Sequence, residues 1–230
     1  MSRPGGLWFY DMTLVPLDQH DPRLRQVCAP MTRTLLKDRQ QQLEIEAVLD
    51  FVYGGINKTQ PGSKRDPKRP TTVGLAGNQV GIMKQICVVD LSIGHQGYSD
   101  VHVLVNPRIT WWSKSIVAKP EGCVNFPTIW GVTRRSRLIR VSAIDRSGNK
   151  IELKLDGWPA VLLQHEIDHL YGRLFIDRLP DTSRAHYVPR EDYVAYRQSK
   201  PDKWTQFVDV TREAIPLPEG FQAGPHEGVK

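Results

Sequence analysis

The stretch from Gln164 to Leu170 constrains this chain more than any other, because it contains the pattern His-Glu-x-x-His in His165, Glu166 and His169. Two histidines four residues apart on a helix point to the same face, so both imidazoles can reach one metal ion. A glutamate between them lies beside that metal, where it can take a proton from a water molecule. The stretch therefore predicts a metal site on a helix.

The flanking residues support a buried helix. Pro159 suits a first helical position and Gly172 suits a helix end. Apolar residues lie on more than one side of the segment: Val161, Leu162, Leu163, Ile167 and Leu170. The alternative is a chance pattern on a surface helix, and the pentapeptide alone leaves the two at roughly even odds. Unpaired imidazoles are costly to bury in an apolar helix, which favours the metal site and predicts a third ligand elsewhere.

Length and composition are those of an ordinary globular chain. Its 230 residues are 40% hydrophobic and 24% charged, enough for one domain or a domain with long appendages. No apolar run approaches the roughly 18 residues of a membrane span, so no membrane partner is expected. Residues 1–10 lack the apolar core of a secretory signal, while an organellar transit peptide stays open.

The cysteines and the net charge bear on compartment and partners. The chain has three cysteines: Cys28, Cys87 and Cys123. Such a small, odd number argues against a disulfide framework and indicates a reducing compartment. The cytoplasm is expected, with an organelle matrix as the alternative. A net charge of +6 raises the chance of an anionic partner such as ribosomal RNA. The alternative, which we prefer, is that this charge only makes the protein surface basic. No RNA-binding signature is present, and specific DNA binding is not expected.

Apolar periodicity and turn residues predict the remaining elements. A helix is expected over 34–53, ended by two glycines, and a mobile insertion loop rich in proline and lysine over 54–70. The segment after 180 is polar, then rich in proline and glycine, and is expected to be partly disordered. Predicted strands cover 85–91, 101–105 (ended by Asn106-Pro107), 109–119, a hairpin of 138–144 with 150–155, and a short strand at 174–176.

Three stretches together resemble the peptide deformylase family. They are Gly74-Leu75-Ala76 through Gln79, then Glu121-Gly122-Cys123, and then Gln164-His165-Glu166-Ile167-Asp168-His169. The similarity extends over about residues 20–180. It implies an α+β fold with antiparallel and mixed β-sheets around a central helix that carries the His-Glu-x-Asp-His motif. It also implies a catalytic domain over 1–180, followed by a C-terminal extension over 181–230.

The resemblance implies a metal site and a cofactor. Cys123, His165 and His169 would bind one divalent metal ion, with water in the fourth position. The family uses iron(II) in vivo, with nickel, cobalt or zinc as substitutes. On physical grounds a ligand set of one cysteine and two histidines leaves the metal open.

The resemblance also implies roles for six other residues. Glu166 would be the general base and then the acid for the leaving amine. The Gln79 side-chain amide and the backbone N–H of Val124 would bind the oxyanion. Gly74 would offer backbone contacts to substrate. A structural ion pair is implied between Glu121 and an arginine at the position of Arg135.

The chain departs from the family pattern in places that affect substrate choice. Thr72 and Gly77 replace a glycine and an alanine of the first motif, and Val124-Asn125 replaces Leu-Ser after the cysteine. Trp130 stands where bacterial members carry an arginine near the peptide backbone. An indole cannot form the charged hydrogen bonds of an arginine, but it could stack on a substrate side chain.

The activity implied is hydrolysis of the N-formyl group from formyl-methionine at the start of nascent polypeptides, with release of formate. One alternative is a specialised deformylase that acts on another formylated substrate. A second is a catalytically weak or non-enzymatic relative that serves as an interaction module, for example at the ribosome. A zinc endopeptidase is a further alternative, against which the Cys123 ligand argues. The sequence does not predict the oligomeric state.

Overall fold

The computed structural model describes residues 14–53, 72–92, 100–180, 185–198, 204–208 and 210. The predicted loop at 54–70 lies outside these residues, as does much of the extension after 180. This part of the chain contains three α-helices and nine strands. They are α1 (Arg39–Tyr53), β1 (Gly74–Ala76), β2 (Ile86–Asp90), β3 (Val101–Trp112), β4 (Ile116–Cys123), β5 (Phe126–Ser136), β6 (Leu138–Ile144), β7 (Lys150–Asp156), α2 (Trp158–Leu170), β8 (Ala185–Tyr187), α3 (Tyr193–Gln198) and β9 (Phe207–Val208).

Two sheets enclose the helix α2. One has five strands in the order β1-β2-β3-β6-β7, and the other has four in the order β4-β5-β8-β9. Every pairing between these strands is antiparallel, and α2 packs against both sheets. Among the described residues, a parallel contact occurs only as an isolated bridge between Ala29 and Lys84. The predicted α+β fold around a central helix is confirmed.

Helix α2 is buried along nearly its whole length. All residues from Ala160 to Leu170 are buried, and its apolar side chains share a core with those of β2, β3, β6 and β7. Pro159 lies in the first turn, as predicted, and Gly172 adopts a φ of 71° just after the helix ends. A helix that is apolar all round can lie only inside a protein, so its polar residues must find partners there.

Helix α1 covers the opposite face of the five-stranded sheet. Its buried residues Ile45, Val48 and Val52 pack with side chains of β1, β2 and β3. The helix begins at Arg39 instead of residue 34, because Asp38 caps it by accepting a hydrogen bond from the backbone N–H of Gln41 (3.1 Å). No helix within the described residues is long and apolar enough to cross a membrane.

Three strand predictions differ from the structure. Asn106 and Pro107 do not end a strand, because β3 accommodates them in a bulge where Asn106 has a φ of 50°. The strand predicted over 109–119 is divided at Ser113 between β3 and β4. Residues 174–176 contribute to a 3-10 turn, in which the Asp177 carboxylate accepts a hydrogen bond from the N–H of Leu174 (2.8 Å).

The hairpin of β6 and β7 was predicted correctly. Its turn is built by the Asp145 carboxylate, which accepts hydrogen bonds from the backbone N–H groups of Ser147 and Asn149 (both 2.8 Å). Gly148 takes the left-handed conformation that this turn requires. The hairpin leads into α2 and fixes where that helix starts.

Candidate metal centre

Helix α2 presents His165 and His169 to the same point. The two Nε2 atoms lie 3.2 Å apart, and both side chains are buried. The four-residue spacing explains this, since it brings side chains one turn apart onto one face. The two rings therefore supply two of the three atoms that could bind one metal ion at this point.

Cys123 supplies the third ligand atom from the end of β4. Its Sγ lies 3.4 Å from Nε2 of His169, and the ligand atoms of Cys123, His165 and His169 all lie within 4.8 Å of one another. Typical metal–nitrogen bonds of about 2.0–2.1 Å and metal–sulfur bonds of about 2.3 Å place tetrahedral ligands about 3.3–3.6 Å apart. The spacing of these three residues therefore fits a single divalent metal ion.

Gln79 approaches the same point from a 3-10 turn (Gly77–Val80). Its Oε1 accepts the backbone N–H of Ala76 (2.7 Å), which fixes the amide so that Nε2 points at Sγ of Cys123 (3.2 Å). Gly77, a departure from the family pattern, is required by this turn, since a Cβ there would lie 2.6 Å from the carbonyl oxygen of Ile82. The side chain of Gln79 is held as a hydrogen-bond donor beside the ligand set.

Glu166 lies against strand β1. A Cβ built on Gly74 would lie only 2.6 Å from Oε1 of Glu166, so the absence of a side chain at Gly74 makes room for the carboxylate. Its Oε2 is buried and has no hydrogen-bond partner among the described residues. Burial raises the pKa of Glu166 to about 7, against the opposing charge of His165. The carboxylate can thus exist in both protonation states near neutral pH.

A buried ionic network supports His165 from behind. Glu121 accepts a hydrogen bond from Nδ1 of His165 (2.8 Å) and pairs with Arg135 (2.6 Å). Arg135 also pairs with Asp168 (2.7 Å), which binds Arg178 (2.6 Å). Such partners fix the tautomer and orientation of a ligating histidine. The pairing of Glu121 with Arg135 was implied by the resemblance; Asp168 and Arg178 were not singled out.

The charged groups of this buried network stabilise one another's ionised forms. Burial alone would raise the pKa of Glu121, but the Arg135 charge and the His165 hydrogen bond lower it to about 2. Burial likewise opposes ionisation of Asp168, while Arg178 and Arg135 hold its pKa below the usual value. A buried carboxylate inside an apolar helix is the sequence signal that could have pointed to this network, because it requires a cationic partner.

Asn125 is a further residue whose place in the site the sequence did not reveal. It is 2% exposed, and its amide donates hydrogen bonds to the carbonyl oxygens of Leu17 (2.8 Å) and Gln79 (2.9 Å). Its Oδ1 lies 3.6 Å from Sγ of Cys123. Asn125 and Val124 form the two-residue turn between β4 and β5. Asn125 therefore joins the Gln79 turn to the Cys123 hairpin.

Trp130 lies on β5, opposite Gly122. Its ring packs against Tyr193 (5.2 Å between centroids) and Tyr196 (5.4 Å) of the C-terminal extension. The substrate contact predicted for Trp130 stays a prediction, while the described contacts of its ring are with Gly122 and the extension.

Comparisons with known proteins show which family the chain is similar to. The family model for polypeptide deformylase matches residues 16–185. A peptide deformylase of Cellvibrio japonicus is 35% identical over 175 residues, covering 76% of this chain and 91% of the relative. The solved structure of a Thermotoga maritima peptide deformylase aligns with a TM-score of 0.57 and 30% identity, covering 73% of this chain and 97% of the other.

A second solved structure is the Met-Ala-Ser-bound class I type b peptide deformylase of Acinetobacter baumannii. It aligns with a TM-score of 0.60 and 26% identity, covering 73% of this chain and 98% of the other. The family match spans well over half of the chain and includes every residue of the ligand set, Glu166 and Gln79. On these grounds the chain belongs to the polypeptide deformylase family.

Proposed function

We propose that this chain removes the N-formyl group from formyl-methionine at the N-terminus of nascent polypeptides and releases formate. The observation that carries the proposal is the convergence of Cys123, His165 and His169 beside the Glu166 carboxylate and the Gln79 amide. The Acinetobacter baumannii relative was solved with Met-Ala-Ser bound, a peptide that corresponds to the product side of such a reaction.

Cys123, His165 and His169 would hold the metal, for which we propose iron(II), with nickel, cobalt or zinc as substitutes. A divalent cation bound there supplies Lewis acidity that polarises the formyl oxygen and lowers the pKa of water. One thiolate and two neutral imidazoles suit several such metals. His165 is oriented for this role by its hydrogen bond to Glu121.

Glu166 is the proposed proton carrier. Its carboxylate is buried on the face of α2 that also bears His165 and His169, so it adjoins the place where the formyl carbon must react. It takes a proton from the attacking water and returns it to the leaving amine nitrogen. Burial supports this exchange, because it brings the two protonation states of the carboxyl closer in free energy.

Gln79 and Val124 are the proposed donors to the oxyanion. Nε2 of Gln79 is fixed beside Cys123 by the bond from Ala76 to Oε1, so it needs little reorganisation to donate to a developing negative charge. Val124 directly follows Cys123 in the turn between β4 and β5, so its backbone N–H is the amide donor that follows the cysteine in sequence. Gly74, at the edge strand β1, is the proposed backbone contact for substrate.

The remaining proposals concern organisation and setting. We assign residues 1–180 to the catalytic domain and 181–230 to a C-terminal extension. The three cysteines are free thiols, which supports a reducing compartment, the cytoplasm or an organelle matrix. The positive net charge is compatible with association with a ribosome near the nascent chain, although a merely basic surface remains the preferred interpretation of it.

The proposal is tested with Glu166→Gln, which keeps the shape of the side chain and removes its proton-accepting charge. In anaerobically iron-loaded protein, formate release from formyl-Met-Ala-Ser should fall by about 10²- to 10⁴-fold while one metal per chain is retained. Glu152→Gln, at an exposed carboxylate on β7, is the matched control and should keep full activity. Full activity of Glu166→Gln would refute the mechanism.

A second candidate differs only in substrate. Trp130 replaces an arginine expected near the peptide, and it is packed by Tyr193 and Tyr196, so no cation is provided at that position. This observation favours a formylated substrate that does not require a charged contact there. Rates on formyl-Met peptides should be compared with those on other formylated amines; rapid turnover of formyl-Met-Ala-Ser would dismiss this candidate.

A further inference from the structure

The segment that follows the family match continues the sheet that carries Cys123. Strand β8 pairs with β5, and β9 pairs with β8. In register, Gly122 lies opposite Trp130, Trp130 opposite His186, and His186 opposite Phe207. One row of residues therefore runs across all four strands from the neighbour of Cys123 into the C-terminal extension.

Aromatic side chains on this row and from the residues that pack beside it form one group, here named the aromatic cluster. Its members are Trp130, His186, Tyr193, Tyr196, Trp204 and Phe207. Tyr196 is at its centre: it is fully buried, and its ring lies 5.4 Å from Trp130 and 5.2 Å from Trp204. Its hydroxyl forms a 2.7 Å hydrogen bond with Nδ1 of His186. Tilted and edge-to-face aromatic pairs are favourable beyond the area they bury, so the cluster holds the extension against β5.

The cluster reaches the ligand set through Gly122. A Cβ built on Gly122 would lie 2.6 Å from Cε2 of Trp130, so the indole lies directly on the backbone between Glu121 and Cys123. Those two neighbours are the partner of His165 and the cysteine ligand. A side chain at Gly122 would push Trp130 away, and the glycine permits the close contact.

The strand register connects this contact to the position of Cys123. Regular pairing of β4 with β5 continues as far as Gly122 with Trp130 and then shifts, so that Cys123 lies opposite Phe126. The rung of Gly122 and Trp130 is the last regular one before the cysteine. Whatever fixes Trp130 therefore fixes the point from which Cys123 projects.

We propose that the C-terminal residues 185–198 and 204–208 form a positioning element of the metal centre. Through Tyr196 and Trp130, the aromatic cluster holds Gly122 in place and so sets the position of Cys123 relative to the two histidines. Tyr196 and Trp130 are positioning residues, and their replacement weakens metal binding although neither contacts the metal. This inference rests on the proposed metal site.

The test is a metal titration of the full chain. Co²⁺ is added anaerobically to the metal-free protein against a competing chelator, and the thiolate-to-cobalt absorption band reports the bond to Cys123. Tyr196→Ala should weaken Co²⁺ binding by about 10- to 100-fold and reduce or shift the band, as removal of supporting partners does at other metal sites. Val194→Ala, on the same helix at a side chain 56% exposed, is the matched control and should match the unaltered protein.

Thermal unfolding of the metal-free proteins separates positioning from simple destabilisation. If Tyr196→Ala lowers the melting temperature but leaves the affinity within twofold and the band unchanged, the proposal is overturned. If that variant does not fold, Tyr196→Phe, which removes only the hydroxyl bonded to His186, and Trp130→Phe decide by the same criteria. Cys123→Ser in the same titration should abolish the band; if the band persists there, the metal-site proposal itself is wrong.

Discussion

Replacement of Gly74 by alanine tests how the site makes room for its base. The added Cβ would lie 2.6 Å from Oε1 of Glu166 and 2.8 Å from Cδ1 of Leu162, whereas ordinary contact begins at 3.4 Å. The carboxylate must therefore move by about 0.8 Å. A misplacement of about 1 Å can cost a catalytic group 10²-fold, so we expect kcat to fall by about 10- to 100-fold.

The assay is formate release from formyl-Met-Ala-Ser by anaerobically iron-loaded Gly74→Ala protein, with metal content and melting temperature measured on the same sample. The three atoms nearest to the new methyl group belong to Glu166 and Leu162 and not to a metal ligand, so one metal per chain should remain bound. A variant that retains its metal and an unchanged kcat would refute the argument that Gly74 exists to accommodate Glu166.

Three further predictions concern the surrounding side chains. Arg135→Met should lower the free energy of unfolding in urea by about 3 kcal/mol, because Glu121 loses its buried cation while Asp168 keeps Arg178; a loss below about 1 kcal/mol would contradict this. Asn125→Ser should lower kcat about 10- to 100-fold with little change in KM, because the Gln79 turn, without the hydrogen bond from the Asn125 amide, gains about 1 Å of freedom; unchanged kinetics would exclude a role in alignment. Burial lowers the pKa of His186 in the folded chain, so the unfolded chain binds the proton more readily and stability falls as pH drops below about 6.5. Melting temperatures of His186→Asn across this range should show a weaker acid dependence than those of the unaltered protein.

The helix at the centre of the fold was predictable because each signal for it is local. The ends of the helix are predicted by Pro159 in its first turn and by Gly172 just after its last turn. Its burial is predicted by the two histidines, His165 and His169, at a four-residue spacing within an apolar segment. The hairpin of β6 and β7 was predictable for the same reason, since Asp145 and its neighbours encode the turn. The deformylase assignment, which combined three such local motifs, is confirmed by the family match over residues 16–185.

Features that depend on tertiary contacts were not predictable. Asn106-Pro107 is a common strand end, yet β3 continues through it because flanking strands hold a bulge in register. No strand was predicted anywhere in β5, and its pairing with β4 is what gives it structure. Asp168 and Arg178 are ten residues apart on different elements, so their ion pair exists only once the chain folds.

The extension shows the same limit. Tyr196, Trp204 and Phe207 are scattered through a polar segment, and no period marks them as core residues. They become buried or packed only because β8 pairs with β5 and brings them to Trp130. Trp130 was singled out as a departure from the family pattern, but Tyr193 and Tyr196, which its ring contacts, lie beyond the family match.

The central claim is that one thiolate and two imidazoles bind a single metal ion. X-ray absorption spectroscopy of the zinc-loaded protein tests it most directly, because it counts the scattering neighbours of the metal. The account predicts one sulfur at about 2.3 Å and two imidazole nitrogens at about 2.0–2.1 Å, with the sulfur lost in Cys123→Ser. A first shell of nitrogen and oxygen alone in the unaltered protein would contradict it.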